Sequence, residues 1–424
     1  MTILKSAPNP DLDLARTMFQ ELGQKTRVGR GITRATYGEG ENFAHELASR
    51  MARNLGLEVA TDAALNLYMT LPGRRRDLPR IVIGSHMDSV PQGGNYDGAA
   101  GVVAGLAAVA GLRAQGIIPE RDITVMAIRA EEAAWFNSSY IGSHAAFGKL
   151  TEEALATPRS DTKRSLADHL AEVGGDVAAL RRGDAFLKPE NVAAYLEVHI
   201  EQGPVLEQAK VPVGVVTGIR GCLRHADARC FGVYAHSGAA PRSVRQDAVA
   251  ATVELLHRLG KTWLDLEKSG ADLVFTVGQL STDPANAGPS KVSGETRFVL
   301  DFRGLEESVM RAASDAAGRF AEEIGKQHKV RFDLGEARYS YPAVMNSKIR
   351  QRLNALAGDL QIPTLEMASG AGHDAAVFAT FGIPSGMIFI RNSNGSHNPD
   401  EAMEIEDFGL AAQLLAAYLA QDAA

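Results

Sequence analysis

The chain has 424 residues, more than the roughly 250–300 at which a single hydrophobic core stops growing, so at least two domains are expected. Apolar residues make up 45% and charged residues 22%, an ordinary soluble balance, and a net charge of -7 without a basic stripe speaks against nucleic acid as a partner. No window approaches 18 uncharged apolar residues and Met1 to Gln20 has no apolar leader core, so no membrane association and a cytoplasmic location are expected.

Residues from about Asp11 to Leu71 read as helix, helix, strand, and Glu41 to Leu57 carries Phe43, Leu47, Met51 and Leu55 on one helical face. A strand–helix–strand rhythm follows, with a strand at 81–84, a helix from Gly101 to about Gln115 and a strand at 123–128. A later strand at Ala193–Val198 delivers His199. This alternation predicts an α/β fold with right-handed crossovers. Near residue 214 the texture changes. Half-buried strands at 214–219 and 228–234, a helix at 247–259, strands at 273–280 and 296–303 and a helix at 307–327 suggest an inserted α+β layer. The first style returns with a strand at 387–390 and a closing helix at 405–419. Cys222 and Cys230 are too few for a sulfur-ligated metal or a disulfide framework, so reduced thiols are expected.

Three segments carry chemistry: Gly84-Ser85-His86-Met87-Asp88, Asp97-Gly98-Ala99-Ala100-Gly101 and Glu131-Glu132. Two of them follow apolar, β-branched runs, and ligands collect beyond the carboxyl ends of parallel strands. Hydrolysis of an unactivated C–N bond needs a nucleophilic water, a polarised carbonyl and a proton for the departing amine; divalent ions beside a carboxylate meet all three needs. His86, Asp97, Glu132, His199 and His397 form a donor set suited to two ions sharing a carboxylate. Asp88, two residues after His86, is placed to accept the other imidazole N–H. Of the adjacent glutamates, one can ligate while its neighbour serves as general base. A single histidine is more often a plain surface or core residue than a ligand, and His45, His144, His169, His225, His257 and His328 are assigned to that class.

Taken together, these motifs identify a resemblance. In order and spacing, the chain is similar to the metal-dependent amidohydrolases of the aminoacylase/carboxypeptidase G2-like superfamily, and most to its hydantoinase/carbamoylase branch. That branch includes N-carbamoyl-L-amino-acid hydrolases, allantoate amidohydrolases and β-ureidopropionases. The likeness runs from Gly31-Ile32-Thr33-Arg34 to Ser396-His397-Asn398-Pro399. It includes Gly94-Asn95-Tyr96-Asp97-Gly98, Arg129-Ala130-Glu131-Glu132, Glu197-Val198-His199-Ile200-Glu201-Gln202-Gly203-Pro204 and Ser369-Gly370-Ala371-Gly372-His373-Asp374-Ala375.

The resemblance implies a large catalytic domain over 1–217 and 333–424, with a mixed, mostly parallel sheet flanked by helices. An inserted α+β lid and dimerisation domain would span 218–332. His86 and His199 would hold one ion, Glu132 and His397 the other, and Asp97 would bridge them, with Glu131 as general base. Zinc is the first choice, with manganese, cobalt and nickel compatible with the same O/N donors. His236 would steady the oxyanion in the partner subunit's site of a homodimer, and Gln202 and His373 would contact the small-molecule substrate. Arg303 would grip a substrate carboxylate, for which a guanidinium fork is suited.

Two stretches depart from the family pattern. Asn286-Ala287-Gly288-Pro289-Ser290 places Ser290 where a substrate-contacting Asn is usual, with Asn286 as the alternative, and Arg391-Asn392-Ser393-Asn394-Gly395-Ser396 replaces a Gly- and Ser-rich run before His397. The expected activity is hydrolysis of a non-peptide C–N bond in a small N-carbamoyl or amide substrate bearing a carboxylate. The competing readings are an aminoacylase or dipeptidase, against which His199-Ile200-Glu201-Gln202 counts, and a silent binder, which would have lost a ligand or the base.

Overall fold

The computed structural model describes residues 7–421; the first six residues of the Met1–Gln20 stretch lie outside it. The chain forms two compact units, one from residues 1–217 and 345–424, the other from 218–344.

The first unit is built on a mixed sheet. Its centre is four parallel strands in the spatial order Ser385–Ile390, Val192–Ile200, Arg80–His86, Ile123–Ile128. Antiparallel strands flank them: Val213–Ile219 beside Ser385–Ile390, and Leu67–Leu71 then Glu58–Thr61 beyond Ile123–Ile128. The parallel strands are buried almost throughout, as expected where helices cover both faces. Ala99–Ala114 is buried nearly all round, which explains why it reads as alanine-rich rather than amphipathic. It packs with Leu12–Lys25, Glu39–Asn54 and Ile405–Ala420 into one continuous core.

The second unit pairs Glu295–Gly304 with the long strand Gly221–Phe231. Helices Ala248–Lys268 and Glu307–His328 cover this sheet through Leu255, Leu259, Met310 and Ile324. The unit continues past residue 332 because Arg331–Asp333 and Ala337–Ser340 both pair with Gly221–Phe231. Three expected elements differ most in extent. The strand expected at 228–234 starts at Gly221 and ends at Phe231. The helix expected at 247–259 runs through Gly260 to Lys268, since Trp263 and Leu266 prolong its apolar face. The strand expected at 273–280 is divided into Val274–Thr276 and Leu280–Thr282, which both pair with Glu295–Gly304. Among the described residues no helix is long and apolar enough to cross a membrane.

Candidate metal centre

Adjacent parallel strands carry His86 and His199 to the same end of the sheet, where their Nε2 atoms stand 3.5 Å apart. Asp97 sits in the loop leading into Ala99–Ala114. The loop lies flat on the His86 ring because Gly98, at φ +65°, has no Cβ; one built there would come within 2.5 Å of the imidazole. Asp97 then divides its oxygens. Oδ1 is 3.2 Å from His199 Nε2 and 3.4 Å from His86 Nε2, while Oδ2 is 3.4 Å from His397 Nε2. Glu132 Oε1 completes the second group, 3.3 Å from His397 Nε2.

These residues form two donor clusters, His86–Asp97–His199 and Asp97–Glu132–His397, that share Asp97. The fit to divalent ions rests on two observations. Asp97 Oδ1 is buried and makes no hydrogen bond among the described residues, which is costly unless a cation meets it. Each strand-end imidazole also has its Nδ1 beside a carbonyl, Asp88 O at 3.1 Å for His86 and Ile200 O at 2.8 Å for His199. Nδ1 therefore carries the hydrogen and leaves Nε2 as the acceptor on the Asp97 side, where His199 Nε2 accepts the Gly98 N–H at 3.1 Å. With no ion bound the same histidines are shifted toward their protonated forms, and although burial alone would raise the Asp97 carboxyl, His199, His397 and His86 then hold it well below the usual range.

A third cluster, Glu197–His199–His373, shares His199 with the first. A neutral imidazole has one lone pair, so His199 cannot serve both. Glu197 instead accepts from Ser85 Oγ at 3.0 Å and from the Ala375 N–H at 2.8 Å.

The Glu pair is held by its main chain. After Ile123–Ile128 the backbone turns at Ala130, φ +58°, and the Glu131 and Glu132 N–H groups donate to Asp88 Oδ1 and Oδ2 at 3.1 and 3.2 Å. Thr36 Oγ adds a third donor to Asp88 at 2.7 Å. Asp88 thus meets His86 chiefly through its carbonyl, and its carboxylate, 3.4 Å from Nδ1, is committed to the glutamates. Glu131 Oε2 is 3.9 Å from His86 Nε2, and burial pushes its carboxyl well above the ordinary glutamate range.

Gln202 also lies here, in a left-handed conformation at φ +64°, with Nε2 donating to Asp97 Oδ2 at 2.7 Å. The His373 ring packs edge-on to His199 at 4.5 Å between centroids and meets Ser369 Oγ at 2.9 Å. Burial, then His199, keeps it uncharged, well below the usual histidine range. His236, Ser290 and Arg303 belong to the second unit. There Ala235–His236 pairs with Lys291–Val292, the Ser237 N–H donates to the Ser290 carbonyl at 2.8 Å, and Arg303 bonds Asp301 at 3.3 Å.

Sequence reasoning missed the supports of Asp97. Ser396 Oγ lies 2.5 Å from both Asp97 Oδ2 and Glu401 Oε2, and Glu401 Oε1 accepts the Tyr96 and Asp97 N–H groups at 2.9 and 3.3 Å. One hydroxyl hydrogen cannot serve two carboxylates, so a proton stays with the pair. Burial, then Asp97, raises the Glu401 carboxyl. The Arg34 guanidinium, fully buried, donates to the Met87 carbonyl at 2.7 Å and the Asp97 carbonyl at 3.3 Å, tying both ligand loops together.

Comparison with known proteins identifies the family. Over residues 82–421 the chain matches the model of Peptidase family M20/M25/M40. It is 35% identical to the N-carbamoyl-L-amino acid amidohydrolase of Geobacillus stearothermophilus, over 94% of this chain and 96% of that one. Identity to the allantoate amidohydrolase of Escherichia coli (strain K12) is 32%, over 92% and 93% of the two chains. The crystal structure of a hydantoinase/carbamoylase family amidase from Burkholderia multivorans superposes with a TM-score of 0.89 at 27% identity, covering 98% of each chain. A carboxylate shared by two donor clusters, two pinned imidazoles and a match over nearly the whole chain to these hydrolases agree on one assignment: the chain belongs to Peptidase family M20/M25/M40, on its hydantoinase/carbamoylase branch.

Proposed function

We propose that the protein is a dinuclear metal-dependent amidohydrolase that cleaves a non-peptide C–N bond in small N-carbamoyl (ureido) acids, N-carbamoyl-L-amino acids being the first candidates. The observation that carries this reading is Asp97, whose two oxygens face two donor clusters with Glu131 alongside. Relatives that are at least 30% identical over nearly the whole chain are named for this chemistry.

Bound divalent ions would polarise the carbonyl and make water nucleophilic near neutral pH. Zinc is the preferred ion, with manganese, cobalt and nickel open to the same donors. Glu131 takes the proton from the attacking water and returns it to the departing nitrogen, a role suited to a carboxyl whose affinity for protons burial has raised. An N-carbamoyl amino acid plus one water then yields the amino acid, carbon dioxide and ammonia.

Gln202 and His373, both at the ions' side, contact the substrate. From the second unit His236 donates to the oxyanion in the partner subunit of a homodimer, and Arg303 binds the substrate carboxylate bidentately. Ser290 takes the remaining polar contact. It adjoins the His236 ribbon, whereas the Asn286 amide is spent on Asp283 Oδ2 at 2.7 Å. The 218–344 unit acts as the lid, and the enzyme works in the cytoplasm.

The test is a panel of N-carbamoyl, N-formyl, N-acetyl and dipeptide derivatives of one amino acid, offered to metal-reconstituted enzyme. Ammonia release from the N-carbamoyl member as the fastest reaction is expected. Faster cleavage of the N-acetyl compound or dipeptide would overturn the reading.

A further inference from the structure

The stretch that departs from the family pattern before His397 divides its first two polar side chains. The Arg391 guanidinium turns to the helix Ile405–Ala420, where Nε and Nη2 donate to Asp407 at 2.7 and 3.1 Å. Asn392, only 1% exposed, turns instead to Gln202. Val192–Ile200 and Ser385–Ile390 are parallel neighbours, and the Glu201 N–H, donating to the Ile390 carbonyl at 3.0 Å, extends their ladder by one bond. Gln202 then leaves the sheet at φ +64°. The Asn392 amide takes over at that point. Its Oδ1 accepts the Gln202 N–H at 3.0 Å, and its Nδ2 donates to the Gly395 carbonyl at 2.7 Å. Both partners are main-chain groups of fixed polarity, so the amide's orientation is settled. Only a side chain that offers an acceptor and a donor together can span them.

The two loops joined in this way both reach the donor clusters. Gln202 Nε2 donates to Asp97 Oδ2 at 2.7 Å, while Gln202 Oε1 is buried without a hydrogen bond among the described residues. The pose of the Gln202 side chain therefore depends on where its main chain is held. Gly395 opens the turn into His397, and Asn394, Gly395 and His397 are all left-handed, at φ +65°, +67° and +59°. Two of these three are not glycine, and such strain lasts only where surrounding bonds enforce it. Gly395 also lies beside Gln202: a Cβ built on it would stand 3.7 Å from the Gln202 carbonyl oxygen. One buried amide fixes two adjacent loops to each other.

We propose that Asn392 is a positioning residue that sets the substrate contact Gln202 and the metal ligand His397 in register with one another. This rests on the roles given above to Gln202 and His397, and adds the group through which the two depend on each other. Partners that orient a ligand from behind commonly matter to metal affinity and turnover almost as much as the ligand does.

The test compares wild type, Asn392→Leu, Gln202→Ala and the double variant, each reconstituted with zinc, on one N-carbamoyl amino acid. Leucine nearly matches the side chain in shape and removes both bonds. KM is expected to rise about tenfold in Asn392→Leu, the scale of a lost hydrogen bond, and by no more than about twofold when the change is added to Gln202→Ala. Zinc titration of the metal-free variant should show one site weakened about tenfold and the other at wild-type affinity. If leucine prevents folding, Asn392→Ala leaves room for a bridging water and serves instead, with a rise in KM of about threefold expected. A folded variant with wild-type KM, or with both zinc affinities unchanged, overturns the proposal. So does a KM effect that multiplies fully with that of Gln202→Ala. Equal weakening of both zinc sites with a lowered urea midpoint also overturns it, since that marks a purely structural role. Gln202→Ala with unaltered KM overturns the reading of Gln202 and this coupling with it. A raised KM there, beside an unmoved Asn392 variant, removes only the Asn392 assignment.

Discussion

Asp88 and Glu131 are joined through a carboxylate oxygen of the first and the main-chain N–H of the second, 3.1 Å apart and fully enclosed. The loop after one strand thereby fixes the loop after its neighbour. His86 and Glu131 are set by a single buried anchor, although 45 residues of chain separate them in sequence.

Replacing this anchor by Asp88→Ala strips the acceptor from the Glu131 and Glu132 N–H groups and from Thr36 Oγ. Orphaned buried donors cost about 1–3 kcal/mol each, with partial relief by water, so a loss of about 3 kcal/mol is expected. A lowered urea midpoint and substoichiometric metal by elemental analysis are the readouts. A wild-type midpoint in the variant would show that the anchor is dispensable.

Glu131→Gln tests the base separately from the fold. The substitution keeps the main-chain bonds to Asp88 and the side-chain shape, and removes only the capacity to take a proton. Turnover is expected to fall at least about 1000-fold, within the range for a lost general base, while bound metal stays at the wild-type level. Substantial residual activity would transfer the role to another group.

The metal clusters also predict a pH dependence for metal uptake. Contacts to Asp97 and Glu132 push His397 up to about 10, so in the metal-free protein it carries a proton at pH 7. An ion must displace that proton, and metal affinity therefore rises with pH up to about 10 and levels off above it. Calorimetry of zinc uptake at pH 7 in two buffers of different ionisation enthalpy should report release of about one proton from this position. His397→Ala should remove that proton from the count. Heats that do not depend on the buffer would contradict the assignment.

How much of this was legible beforehand depends on what each residue leaves in the sequence. Ile123–Ile128 appears as an unbroken apolar run, and the ligands that follow such runs inherit their position from the sheet. The partners of Asp97 leave no such trace. Glu401 and Ser396 occur in a polar stretch with no apolar pattern to mark what turns inward, and only folding shows the carboxyl within hydrogen-bond reach of the Asp97 main chain. Thr364–Ser369 was missed because its half-buried residues alternate too weakly to announce a strand. The extent of the second unit was blurred for a related reason. Ala337–Ser340 is mostly exposed and is held by pairing rather than by an apolar face.

One feature of the sheet bears on biosynthesis. Ser385–Ile390 lies between Val192–Ile200 and Val213–Ile219, so two strands made earlier flank a strand made much later in synthesis. Until the ribosome has delivered that late piece, both neighbours present bare amide and carbonyl edges, the kind of surface that recruits foreign strands. Nascent or C-terminally clipped molecules should consequently depend on chaperones far more than the finished polypeptide does.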